Sequence, residues 1–238
     1  MNVLILIFNT VLYRPLLNTL ILLYEYIPGH DFGVAVIVLT LIIRSLLYPV
    51  SVRGVKSQKV LTDLQPKIQE IQKKYKDDKE KQIKLLMELY QKGKINPFSG
   101  CLPLLIQFPI LVALYRVFLI GVQPDSLNRL LYGFVPNPGV INFSFLGLIN
   151  LAEPNIFLAF LAGFLQFCQL KISTTSQQQV IKEKGTDFSK MIQQQMLYLL
   201  PIFTVYIIWQ FGSIIGLYWI VSVLFSIGEQ YIVKTRYA

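Results

Sequence analysis

The sequence is poor in the residue types from which most catalytic and metal sites are built. It contains one histidine, His30, and two cysteines, Cys101 and Cys168, which do not form a CxxC pair. A Ser-His-Asp triad or a zinc site needs several such side chains close together. No P-loop pattern is present either. The composition therefore argues against an enzyme, against a bound metal and against any other cofactor.

Acidic residues are also scarce, with 13 Asp and Glu against 22 Lys and Arg, which gives a net charge of +9. The excess is concentrated, since 12 of the basic residues lie between Arg53 and Lys94. One strongly basic loop is expected of a membrane protein, whose cytoplasmic loops are enriched in Lys and Arg. We therefore interpret the charge as a topology signal rather than as a surface for nucleic acid.

Apolar residues are abundant, at 54% of the 238 residues, with a mean hydropathy of +0.53. A bilayer core of about 30 Å requires roughly 20 consecutive apolar residues in a helix. Five segments reach or approach that length, which predicts an all-α membrane protein with a core over 32–233. The predicted transmembrane helices are 32–52, 98–120, 153–171, 194–210 and 213–233.

Residues 1–31 form a lead-in whose apolar stretch is interrupted by polar residues. Arg14, Asn18 and Glu25 fall within about 40° of one another on a helical wheel. A helix with one polar stripe suits the membrane interface better than the bilayer core. The pattern favours an N-terminal interfacial helix outside the membrane, and a sixth transmembrane helix is the alternative.

The charges of the loops predict the orientation. The segments 53–97 and 172–193 and the short tail 234–238 are basic, whereas the stretch 121–152 has Arg129 as its one basic residue. The positive-inside rule then places the N-terminus outside and the C-terminus in the cytoplasm. The outer stretch 121–152 is expected to be irregular.

The basic segment 53–94 has helical periodicity in its apolar residues. Leucine, isoleucine and tyrosine recur at spacings of three and four on both sides of Lys76-Asp77-Asp78. This pattern predicts two antiparallel helices that form a cytoplasmic hairpin.

Arg44 is the most informative residue, because it lies inside the first predicted transmembrane helix, roughly 12 Å from the cytoplasmic end of that helix. An arginine at such depth usually faces a helix bundle or a water-filled cavity. Snorkelling towards the cytoplasm is the alternative. No carboxylate of another transmembrane helix is expected to neutralise it, since Glu153 and Glu229 both lie near helix ends.

Other polar residues of the transmembrane helices could share a hydrated groove with Arg44. Thr40 lies one turn away on the same face. Each of these residues could instead form a hydrogen bond between packed helices. The further candidates for the groove lining are Ser45, Gln107, Gln166 and Ser222.

Four stretches, in this order, resemble the YidC family of membrane protein insertases. They are TLIIRSLLYPV, LQPKIQEIQKKY, NPFSGCLPLLIQFPILVALY and GLYWIVSVLFSIGEQ. The similarity extends from about residue 30 to residue 233. It implies a short five-span bacterial form in the cytoplasmic (inner) membrane.

The resemblance also implies roles for individual residues. Arg44, Thr40 and Gln107 occupy the positions of the family's groove arginine, threonine and glutamine. Tyr218 and Trp219 fall where the family has aromatic residues that contact clients, although aromatic residues at a membrane interface are the alternative.

The predicted function is therefore insertion of client transmembrane segments and short polar tails into the bilayer without nucleotide hydrolysis. The expected partners are client membrane proteins and lipid, with a Sec translocon and the ribosome as further candidates, and no nucleic acid. A small-anion transporter or channel, with Arg44 as its anion site, is the alternative function. The sequence shows no inverted pair of broken helices, which many secondary transporters have.

Overall fold

The computed structural model describes residues 3–76, 78–92, 102–120, 124–184 and 187–236, and within them the backbone is mainly helical. A two-stranded antiparallel hairpin interrupts the helices, and it pairs Ser144 with Asn150 and Phe145 with Ile149. The elements are α1 (Val3–Ile7), a π-helical segment (Phe8–Tyr13), α2 (Arg14–Tyr26), α3 (Phe32–Lys74), α4 (Lys79–Lys92), α5 (Leu102–Ile120), α6 (Pro124–Leu130), β1 (Ser144–Phe145), β2 (Ile149–Asn150), α7 (Ile156–Lys184), α8 (Asp187–Phe211) and α9 (Ser213–Arg236).

Helix α3 joins the first predicted transmembrane helix and the first arm of the basic hairpin in one continuous element. Asp31 caps its N-terminus, since the Asp31 Oδ1 atom accepts the Val34 N–H at 2.9 Å. Neither Pro49 nor Pro66 ends the helix. The predicted boundary at residue 52 is therefore a change from apolar to basic side chains and not a break in the backbone.

The second arm of the hairpin is α4, as the periodicity predicted. The Asp78 Oδ1 atom accepts the Lys81 N–H at 3.0 Å and caps the start of this helix. The Gln82 side chain donates to the Gln72 carbonyl oxygen at 2.9 Å, which ties α4 back onto the end of α3. Residues 93–94 of the predicted hairpin lie outside the described residues.

The fold class is confirmed as an all-α membrane protein. Within the described ranges, four helical stretches are long and apolar enough to cross a membrane: Ile5–Tyr26, Phe32–Leu61, Ile156–Ser173 and Ser213–Val233. Large apolar side chains on α7 and α8, such as Phe160, Phe164 and Ile202, are more than 60% exposed. Exposed apolar surface of this kind fits contact with lipid rather than with water.

The number of transmembrane helices stays a prediction. The predicted segments 98–120 and 194–210 fall on α5 and α8, whose apolar stretches Gln107–Phe118 and Leu197–Phe211 are shorter than a full span. Residues 98–101 lie outside the described residues. The predicted loop 172–193 is largely helical, because α7 continues to Lys184 and α8 begins at Asp187. Its Gln and Lys residues are good helix formers, so the polar composition did not end the helix.

Two glycines allow the last three helices to pack closely. Gly212 has a φ of +99° and forms the turn between α8 and α9. At Gly163 of α7, an added Cβ atom would lie 2.5 Å from Val205 Cγ2 and 3.1 Å from the Pro201 carbonyl oxygen of α8. Small residues at such crossings let membrane helices approach closely.

The N-terminal helix packs against the segment that follows α5. Asn18, which is 2% exposed, donates to the Leu130 carbonyl oxygen at 3.1 Å and accepts the Tyr132 N–H at 2.7 Å. The Tyr24 hydroxyl oxygen accepts the Asn142 N–H at 3.0 Å. The polar stripe of this helix is therefore used in part to hold the segment 130–142, which the sequence did not indicate.

Candidate functional site

The side chains of Arg44, Gln107 and Tyr218 form a hydrogen-bonded chain across α3, α5 and α9. Arg44 Nη2 donates to Gln107 Oε1 at 3.0 Å, and Gln107 Nε2 donates to the Tyr218 hydroxyl oxygen at 2.5 Å. Gln107 turns its carbonyl oxygen towards the cation and its amide towards the phenol, so each end meets the partner it requires. The structure thus brings together three of the residues that the sequence analysis selected.

Arg44 keeps part of its hydrogen-bonding capacity unused. The side chain is half-buried, and its Nε atom is buried without a hydrogen-bond partner among the described residues. An unpaired buried donor costs free energy comparable to a lost hydrogen bond. The site is therefore suited to an additional acceptor, such as water, a carbonyl group or a carboxylate.

Glu229 belongs to the same interface, and the sequence analysis missed it. It is 4% exposed, and its Oε2 atom accepts a hydrogen bond from the Ser51 hydroxyl of α3 at 2.8 Å. The expectation that no carboxylate of another transmembrane helix neutralises Arg44 stays a prediction.

Helical periodicity could have revealed Glu229. Arg44 and Ser51 are seven residues apart, and so are Ser222 and Glu229. A separation of seven residues is two turns, so each pair occupies one face of its helix. Glu229 lies near the end of α9, and its distance from that end does not reveal the face that it shares with Ser222.

The remaining candidates on α3 are placed differently from Arg44. Thr40 is 1% exposed, and its hydroxyl donates to the Val36 carbonyl oxygen of the same helix at 2.6 Å. Its polar group is therefore satisfied locally. Ser45 is exposed. Neither position decides whether these residues line a groove, which stays a prediction.

Gln166 and Trp219 form a second, separate cluster with Thr204. The Gln166 Oε1 atom accepts the Thr204 hydroxyl at 2.7 Å and the Trp219 indole N–H at 2.6 Å. Gln166 and Thr204 are each 4% exposed, so the cluster lies between α7, α8 and α9. This arrangement matches the packing alternative left open for Gln166. The sequence analysis did not select Thr204.

Ser222 is the last candidate on α9. It is 3% exposed, and its Oγ atom has no hydrogen-bond partner in the described part of the chain. It lies one turn beyond Tyr218, on the way to Glu229. As for metals, the described ranges contain no group of three or more His, Cys, Asp or Glu residues that could hold an ion.

Comparison with known proteins gives consistent matches. The family model described as "60Kd inner membrane protein" matches residues 22–238. The membrane protein insertase YidC of Clostridium tetani is 33% identical over 207 residues, which cover 87% of this chain and 83% of that protein. The protein of the same name from Oceanobacillus iheyensis is 32% identical over 232 residues, which cover 96% of this chain and 84% of that protein.

Other relatives are longer. The membrane protein insertase YidC of Geobacter metallireducens is 33% identical over 227 residues, which cover 94% of this chain but 37% of that protein. The chain therefore spans little more than a third of such relatives.

Proposed function

Since the chain belongs to the YidC family of membrane protein insertases, we propose that it moves client transmembrane segments and their short polar tails into the bacterial inner membrane. The observation that carries the proposal is the Arg44–Gln107–Tyr218 chain, which holds a cation inside a bundle with an apolar exterior. The proposed pathway is a hydrated, positively charged groove that is open to the cytoplasm and to lipid.

The physical role of such a groove is to lower the cost of moving a polar tail through hydrocarbon. Each unsatisfied backbone polar group costs several kcal/mol in the bilayer core. A cation held between helices attracts the carboxylates of the tail, and it acts in surroundings of lower dielectric than water. The apolar part of the client can leave sideways into lipid, so the step requires no covalent chemistry and no nucleotide.

We also propose that the N-terminal helix lies in the outer interface, with the N-terminus outside and the C-terminus in the cytoplasm. In support, Arg116 of α5 donates to Asn9 at 3.2 Å, and Arg14 donates to the Leu130 carbonyl oxygen at 3.4 Å. These contacts join Asn9 and Arg14 to α5 and to the segment that follows it. The same helix is nevertheless long and apolar enough to span.

The hairpin of α3 and α4 is proposed to receive clients on the cytoplasmic side. Its exposed apolar residues Ile83 and Met87 are 60% and 53% exposed on a helix that also carries several lysines. A surface of this kind suits amphipathic and apolar client segments. Association with a Sec translocon or with a ribosome stays a prediction from the resemblance.

Reconstitution into liposomes tests the function. The measurement is insertion of a single-span client with an acidic N-terminal tail and of a matched client with a neutral tail, for the wild type, Arg44→Ala and Arg44→Lys. We expect Arg44→Ala to reduce insertion of the acidic client about tenfold and to affect the neutral client less. Arg44→Lys should retain part of the activity, because a lysine supplies charge without the planar fork.

Arg53→Ala is the matched control, since Arg53 is an exposed arginine farther along the same helix. Equal losses for both clients would contradict the attraction mechanism and leave the function in place. No insertion above that of empty liposomes would contradict the function itself. An anion flux through the same liposomes would then favour the transporter or channel.

A further inference from the structure

A polar seam, defined by Arg44 and Ser51 on α3 and by Ser222 and Glu229 on α9, runs between these two packed helices. Two turns separate its ends on each helix, or about 10 Å along the axis. Arg44 lies at one end, where it is bonded to Gln107. The Ser51–Glu229 hydrogen bond lies at the other end.

Three polar atoms of the seam are buried without a hydrogen-bond partner among the described residues: Arg44 Nε, Ser222 Oγ and Glu229 Oε1. Buried polar groups in proteins are nearly always paired with protein or with water. The interface between α3 and α9 therefore carries three polar atoms whose hydrogen-bonding capacity is unused among the described residues.

Glu229 brings a carboxyl group to this seam. It is 4% exposed, and it is bonded to Ser51, which lies two turns along α3 from Arg44. Charges separated by about 10 Å interact appreciably where the effective dielectric constant is near 20. An acidic group that approaches Arg44 is attracted by the arginine, and an ionised Glu229 carboxylate repels it.

We propose that Glu229 is a specificity-determining residue, a fixed counter-charge that limits the preference of the Arg44 site for acidic client tails. The inference rests on the proposed function, in which Arg44 attracts carboxylates of the client. It predicts that the groove of this protein also accepts tails of low acidity. Ser51 positions the carboxylate through its hydrogen bond and contributes no charge.

The test measures binding rather than insertion, so that it is separate from the test of the function. The full chain in zwitterionic nanodiscs is titrated with two fluorescent single-span peptides that differ only in a tail of three Asp or three Asn residues. The measured quantity is the ratio of the two dissociation constants at low salt. The variants are Glu229→Gln, Ser51→Ala and Glu153→Gln.

Glu229→Gln is nearly isosteric, and the amide oxygen of glutamine can still accept the Ser51 hydroxyl. Glu153→Gln makes the same change in net charge at an exposed position before α7, where Glu153 accepts a hydrogen bond from Asn150. Thermal unfolding of each variant checks that the fold is retained. If Glu229→Gln does not fold, Glu229→Asp, which keeps the charge, and Ser51→Ala replace it in the comparison.

We expect Glu229→Gln to raise the preference for the Asp tail by about two- to tenfold, while Glu153→Gln leaves it unchanged. In the replacement comparison, Glu229→Asp should keep the wild-type preference, and Ser51→Ala should alter it by less than about twofold. The increase should shrink at high salt if the seam is hydrated.

An unchanged or lower preference in Glu229→Gln would overturn the inference, as would an equal effect of Glu153→Gln. A preference in Glu229→Asp that differs from that of the wild type by more than about twofold would also overturn it. Liposome insertion by the same preparations shows independently whether the proposed function holds, so failure of one proposal is distinguishable from failure of the other.

Discussion

At the scale of the residue, Gln107 orients the guanidinium of Arg44. Its carbonyl oxygen is hydrogen-bonded to the guanidinium without cancelling the charge, because an amide is neutral. The other end of the amide is fixed by Tyr218, which is 1% exposed. The arginine is therefore oriented by a neutral partner that does not offset its charge.

Gln107→Glu should offset the positive charge of Arg44 while leaving the arginine side chain in place. A carboxylate at hydrogen-bonding distance would neutralise the guanidinium, so insertion of an acidic client should fall to about the level of Arg44→Ala. Gln107→Leu is the matched control, since it removes the hydrogen bonds and adds no charge. Insertion of the acidic client at the wild-type rate by Gln107→Glu would argue against a role for the charge.

Gln166 has a structural role at the same scale. Gln166→Leu leaves the Thr204 hydroxyl and the Trp219 indole N–H without their shared acceptor. Hydrogen bonds between membrane helices contribute about 0.6 kcal/mol on average, and up to about 1.7 kcal/mol. We expect Gln166→Leu to have a lower Tm than the wild type in detergent. The unfolding is measured by tryptophan fluorescence. Thr204→Val should lower the Tm less than Gln166→Leu does. A Tm equal to that of the wild type in both variants would contradict a structural role of Gln166.

At the scale of the element, the turn between α8 and α9 depends on one glycine. Gly212 has a φ of +99°, a region that side chains of L residues rarely occupy. Gly212→Ala should therefore destabilise the helical hairpin by about 1–2 kcal/mol. The measurement is unfolding in detergent with increasing denaturant.

Gly228→Ala provides the control for this change. Gly228 lies within α9, and a Cβ atom added there would have no atom within 4 Å outside its own helical backbone. Alanine is the better helix former, so this variant should be as stable as the wild type or slightly more stable. Similar losses in both variants would mean that the turn conformation is not the cause.

At the scale of the whole molecule, cysteine labelling tests the orientation of the protein in the membrane. In a variant with Cys101 and Cys168 replaced by alanine, single cysteines are introduced at exposed positions and labelled with a membrane-impermeant reagent. Val140→Cys should react from outside and Met87→Cys only after the membrane is opened. Both native residues are more than half exposed.

Val3→Cys distinguishes the two interpretations of the N-terminal helix. Val3 is 71% exposed. An interfacial helix predicts labelling from the same side as Val140→Cys, and a sixth transmembrane helix predicts labelling from the side of Met87→Cys. The contacts of Asn18 with Leu130 and Tyr132 favour the first result.

The sequence by itself determined the fold class and the family, and it identified Arg44 as a charged residue within an apolar helix. These features depend on properties that are local along the chain: the length of apolar runs, the spacing of charges and short motifs. The basic hairpin was predictable for the same reason, since the period of a helix is visible in its own residues.

The tertiary structure alone decided which polar groups meet. It linked Arg44 to Tyr218 through Gln107, brought Thr204 and Trp219 to Gln166, and joined Glu229 to Ser51 across 178 positions of the chain. Such pairs depend on how each helix is rotated about its axis and which helices are neighbours. In lipid these are decided by close packing and interhelical hydrogen bonds, because apolar helix faces gain little from leaving an apolar solvent.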